Sequence, residues 1–162
     1  MSIEIDADEV LKMAEQIETD ASAFYERLGS IVKDAGSRQA LFELAVMETD
    51  HKHVFTGLRE RYAPGSSTEG PVAPGEVPEE WPGFVEYVNS GIREHLSARF
   101  TGRETRQEVM QRAIAFEKDT IVFFASMKKV LTGAAEKAEI DQVIAEEVGH
   151  ILSLTTQLSL PP

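Results

Sequence analysis

Residues 44–51 read LAVMETDH and residues 143–150 read VIAEEVGH, and a shift of 99 positions lays one on the other without a gap. The same shift sets Glu18 on Glu117, Asp20 on Asp119, Phe24 on Phe123, Glu48 on Glu147 and His51 on His150. Each half of the chain therefore carries a Glu, a second Glu 30 residues later and a His three residues after that. Residues three apart on a helix lie side by side, about 5–6 Å from one another, so Glu48 with His51, and Glu147 with His150, form two paired claws. Leu44 and Phe55 flank the first claw by one turn, as Val143, Ile151 and Leu154 flank the second, which places both on apolar faces. Glu18 and Glu117 share their faces with Ala14 and Ala113.

A lone buried carboxylate is costly unless it is paired, protonated or ligated. Four glutamates and two histidines at matched depth are thus expected to hold two metal ions. Oxygen donors with two imidazoles suit iron, with manganese or another divalent metal as alternatives, better than a thiolate-rich structural zinc site. Carboxylates reaching in from both claws would let two ions sit about 3.5–4 Å apart.

The helices follow from the spacing of apolar residues around these six. From Asp6 to about Asp34, Val10, Leu11, Met13, Ala14, Ile17, Ala21, Phe24, Tyr25, Leu28 and Ile31 predict one long helix, with Asp6 and Glu9 as a capping box. Gly36 and Ser37 separate it from a second, whose face runs Ala40, Leu41, Leu44, Ala45, Glu48, His51, Phe55 and Leu58. Residues 63–83 hold five of the seven prolines and four of the eleven glycines, which predicts an extended crossover. A short helix should follow from Gly83 or Phe84 to about Phe100, facing inward through Phe84, Val88, Ile92 and Leu96. Thr101 and Glu104 are then read as the start of a third long helix, containing Val109, Met110, Ala113, Ile114, Phe116, Val122, Phe123, Phe124, Met127, Val130 and Leu131 and closed by Gly133. The fourth spans about Ala135 to Leu158. The expected fold class is all-α: a four-helix bundle in one domain over 1–162, with hairpins at 6–62 and 101–158 and a long crossover with a short extra helix at 63–100. A middle connection that long fits a bundle in which the second helix must return along the full length before the third begins.

Twenty-eight acidic residues against sixteen basic ones give a net charge of −12, which repels phosphate backbones and anionic lipid surfaces, so neither nucleic acid nor membrane is an expected partner. No apolar run approaches the length of a spanning helix, and the acidic start is unlike a signal peptide, so a cytoplasmic location is expected. The chain has no cysteine, which removes disulfides, thiolate metal sites and cysteine nucleophiles together.

The passages IETDASAFYERL (17–28), LAVMETDH, IAFEKDTIVFF (114–124) and VIAEEVGH resemble the rubrerythrin-like branch of the ferritin-like di-iron superfamily. The resemblance covers the four long helices, and it implies that Glu18, Glu48, His51, Glu117, Glu147 and His150 are iron ligands, with Glu48 and Glu147 bridging. It further implies reduction of peroxide or oxygen, or oxidation of Fe(II). Two departures stand out. Thr120 occupies the place where rubrerythrins commonly carry a further glutamate, and there is no four-cysteine rubredoxin segment, so an external electron donor is expected. A ferroxidase or iron-handling protein, and a non-catalytic bundle that dimerises through the crossover and short helix, are the alternative readings; a homodimer is expected under each. Tyr25 lies seven residues from Glu18, where its hydroxyl could bond a ligand carboxylate or supply an electron, or where it could simply be a core aromatic. Glu146 could accept from a ligand histidine's ring N–H or could be a surface residue, and Met47 is its counterpart in the first half. His53 and His95 are read as solvated, and Trp81 as the residue that pins the crossover to the bundle.

Overall fold

The computed structural model describes residues 7–62, 78–131 and 133–161. Among them are five helices: α1 (Ala7–Ile31), α2 (Ala35–Tyr62), α3 (Trp81–Ser97), α4 (Arg106–Met127) and α5 (Ala134–Ser159), and no strand. The three residues between α1 and α2 fold the chain back into a hairpin, and α4 and α5 form the second hairpin. The hairpins meet through α2 against α5 and α1 against α4, while α3 lies mainly on α4 and touches α1. Their inward faces build one core, in which Leu11, Leu28, Phe55, Met110, Phe123 and Phe124 are fully buried. Ala14 and Ala113, matched by the 99-residue shift, are both at the centre with no exposed surface.

Local chemistry moves several of the expected boundaries. The break before α2 is set by Asp34, whose carboxylate accepts from the backbone N–H of Ser37 at 2.7 Å, so the helix opens at Ala35 rather than after Gly36. Thr101 and Glu104 do pair, with Glu104 accepting from the Thr101 N–H at 2.7 Å and the Gly102 N–H at 2.9 Å, but they organise a turn. Gly102 takes φ +76° there, which stops a helix from starting. The capping box that opens α4 is four residues later: Thr105 accepts from the Glu108 N–H, and Glu108 accepts from the Thr105 N–H. Gly133 opens α5 rather than closing α4, which ends at Met127 in a tight turn. In α3 the inward line is Trp81, Val85, Val88 and Ile92; Phe84, read from sequence as inward, is 41% exposed. Met13 and Val122 are likewise exposed at the edges of their stripes. Asp6, and with it the expected first capping box, and the crossover from 63 to 77 lie outside the described residues.

Trp81 is buried against α4 and donates its ring N–H to the Ser126 carbonyl at 3.2 Å, as expected of an anchor for the end of the crossover. The far end of α3 is tied to α1, where Arg27 donates to the Leu96 carbonyl at 2.9 Å and the Ala98 carbonyl at 3.2 Å. These two ties fix α3 across α4 and α1. Because Thr105 is the side-chain cap of α4, Thr105→Ala should lower stability by about 1 kcal/mol, read as a fall in the urea midpoint with an unchanged slope.

Candidate metal centre

Glu18 from α1, Glu48 and His51 from α2, Glu117 from α4, and Glu147 and His150 from α5 meet in the middle of the bundle, each no more than 2% exposed. They form two overlapping quartets, Glu18–Glu48–His51–Glu147 and Glu48–Glu117–Glu147–His150, in each of which one ligand atom per residue lies within 4.8 Å of every other. The shared members are Glu48 and Glu147. Each divides its carboxylate between the two histidines: Glu48 sets Oε2 at 3.2 Å from His51 Nδ1 and Oε1 at 3.2 Å from His150 Nδ1. Glu147 sets Oε1 at 3.0 Å from His51 Nδ1 and Oε2 at 2.8 Å from His150 Nδ1. The imidazoles stack, with ring centres 5.3 Å apart and planes 20° from parallel.

Among the described residues the two histidines are the only cationic partners of these carboxylates. Burial, followed by repulsion from Glu48 and Glu147, pushes the Glu18 carboxyl well above its ordinary range. Burial and then Glu147 push Glu117 up to about 8, against a smaller pull from His150. Burial alone would lower both histidines, but the carboxylates outweigh it and push His51 up to about 10 and His150 up to about 12. Without another cation, protons must therefore supply the missing positive charge. Glu18 Oε1, Glu48 Oε1 and Glu147 Oε2 are buried and make no well-aligned hydrogen bond among the described residues, although the last two lie close to His150 Nδ1. Carboxylate and imidazole donors with open lone pairs, two of them shared, fit two hard or borderline divalent ions. Such ions would replace the protons, balancing four carboxylates with four positive charges.

The surroundings of the two quartets differ. Tyr25, fully buried, donates its hydroxyl to Glu117 Oε1, and burial followed by the Glu117 charge pushes its own ionisation well upward. Thr120 is buried beside the same glutamate, donating to the Glu117 carbonyl at 2.9 Å with its hydroxyl 3.4 Å from Oε2. Glu146 lies 2.9 Å through Oε2 from His51 Nε2, while Gln142 donates to its other oxygen at 2.7 Å. Glu146 is thus the ring acceptor weighed against a surface role, although 42% of its side chain remains exposed. His150 Nε2, by contrast, has no hydrogen-bond partner among the described residues. His53 is exposed, as expected, whereas His95 is not simply solvated: it is half-buried, 3.1 Å from Asp119 Oδ2 and edge-on to Phe116. Asp119 belongs to the repeat, but a contact with the short α3 has no equivalent in the first half and left no periodic signal.

No family model and no curated protein matches this chain. A crystal structure from Thermotoga maritima, provisionally described as that of a ferritin-like diiron-carboxylate protein, superposes with a TM-score of 0.65 over 94% of this chain and 93% of that one, at 21% identity. The fold is ferritin-like. Within this ferritin-like bundle, no helix among the described residues is long and apolar enough to cross a membrane.

The proton balance gives a signed prediction for the metal-free protein. A carboxyl raised in the folded state costs stability as pH climbs from its unfolded value through about 8 for Glu117. The raised histidines stabilise fully below their unfolded value, and that support is lost on the way up to about 10 and about 12. Both effects have one sign, so the chelator-treated protein should melt at a lower temperature at about pH 9 than at about pH 6. Glu117→Gln, which removes one of the raised carboxyls, should reduce that difference. An apo melting temperature that rises across this interval would contradict the charge balance described.

Proposed function

We propose that this chain is a rubrerythrin-like di-iron oxidoreductase that reduces peroxide or oxygen with electrons from an external donor. The observation that carries the reading is the division of Glu48 and Glu147 between the two histidines, since two carboxylates each facing both positions are what bridging a pair of ions requires. Glu18 and His51 would complete one position, Glu117 and His150 the other. Two ferrous ions would supply two electrons to a bound oxidant. The chain's own residues hold the donors on rigid helices, and Phe55, Phe123 and Phe124 belong to the apolar core formed by those helices. Tyr25 holds one oxygen of Glu117 and is placed to move a proton there. The absence of cysteine from these 162 residues means that no thiolate-bound electron-transfer centre is built into them, in keeping with a separate reductant.

The test is anaerobic loading with Fe(II), removal of unbound iron, and separate additions of peroxide and oxygen while the near-ultraviolet absorbance of oxidised iron is followed. The expected outcome is two irons per chain, as a binuclear site demands, oxidation by at least one of the two reagents, and re-reduction with the iron retained. Release of Fe(III) after oxidation would instead indicate the ferroxidase reading, and no spectral change with either reagent would exclude redox chemistry. Glu48→Ala, which takes a donor from both positions, should reduce iron uptake below one per chain without unfolding the apo protein, because it also removes a buried charge.

A further inference from the structure

We infer that the two metal positions are unequal, and that Glu146 is the positioning residue that makes the His51 position the tighter one. This rests on the binuclear reading above. A neutral imidazole that offers Nδ1 to an ion must carry its proton on Nε2. At His51 that N–H has a charged acceptor in place, Glu146 Oε2 at 2.9 Å, itself steadied by Gln142. At His150 the corresponding N–H would be buried with no acceptor among the described residues. An unsatisfied buried donor is costly, and that cost falls on one position only. The 99-residue shift explains the difference in residue terms, since Met47 stands where Glu146 has its match.

The carboxylates reinforce the same order independently. Glu117 Oε1 accepts from the phenol of Tyr25, and a hydrogen bond draws donor density away from a metal; the Thr120 hydroxyl, which donates to the Glu117 carbonyl, lies 3.4 Å from Oε2. Glu18 meets no such hydroxyl: the counterparts of Tyr25 and Thr120 are Phe124 and Ala21, and Glu18 Oε1 accepts no hydrogen bond among the described residues, its side-chain partner being Glu48. The His51 position therefore has an oriented imidazole and a carboxylate without a hydroxyl donor beside it, and the His150 position has neither. The first would hold a resident ion and the second an ion that exchanges.

Titration of the apo protein with cobalt(II) alone, followed by ligand-field absorbance and calorimetry, reads the affinities without turnover. Two resolved steps separated by about tenfold or more are expected, and anomalous scattering from crystals grown at half saturation should place the first ion in the Glu18–Glu48–His51–Glu147 quartet. Glu146→Met should weaken the first step about ten- to a hundredfold and leave the second unchanged. Met47→Glu should tighten the second step, and the double exchange should narrow the gap between the steps, which a loss of packing could not do. Both side chains are partly exposed, so neither change burdens the core. Equal steps in the unaltered protein, a first ion at His150, or a Glu146→Met variant that weakens both steps alike would overturn the inequality while leaving the two-ion site standing. A protein that binds no cobalt would overturn both.

Discussion

Four carboxylates desolvated at one level of a helical bundle, answered among the described residues by two histidines, are the constraint around which this molecule is arranged. Burying a charge costs several kcal/mol even after relaxation, and four packed together add repulsion to desolvation. The core could have been closed with leucine at these positions more cheaply. That Glu18, Glu48, Glu117 and Glu147 are retained there, no more than 1% exposed, means the fold carries a cost that a pair of cations would relieve. The remaining architecture serves that level: long helices without a break near the six residues, small Ala14 and Ala113 one turn away, and a short α3 tied at both ends.

The six residues were legible in the sequence because two periodicities coincide on them. Helical spacing set each claw on an apolar face, and the 99-residue shift brought the two claws and their partner glutamates to equal depth. One such motif in a chain with 28 acidic residues would have carried little weight; two in register are difficult to produce by surface solvation. The long central connection supplied the topology, since a bundle with one long crossover brings first and third helices, and second and fourth, to the same centre.

What the sequence left undecided was decided by hydrogen bonds rather than by burial. Thr101–Glu104 and Thr105–Glu108 have the same spacing and the same residue types, and only the positive φ of Gly102 determines which of them begins a helix. Asp34 took the capping role read into Gly36 and Ser37 because its carboxylate reaches the Ser37 N–H. The inward line of α3 was misplaced at Phe84 because a helix with apolar residues at 81, 84, 85 and 88 offers two stripes, and contact with α4 selects one of them. Tyr25 and Glu146 were each readable in two ways from spacing alone. Their contacts with Glu117 and His51 place them beside the centre, on opposite quartets.

The near-symmetry of the halves and its failures have separate consequences. Matched positions build the pair of quartets, whereas the mismatches at 25 and 124, 47 and 146, and 21 and 120 make their surroundings different. On the proposed reading these buried side chains hold two ions at once. It is tested most directly by a crystal structure of the iron-loaded protein with data collected on both sides of the iron absorption edge. Two anomalous peaks about 3.5–4 Å apart are expected, both flanked by Glu48 and Glu147, one also by Glu18 and His51 and the other by Glu117 and His150. A single peak at this level, or iron bound only at surface carboxylates while the six residues stay bonded to one another, would contradict it.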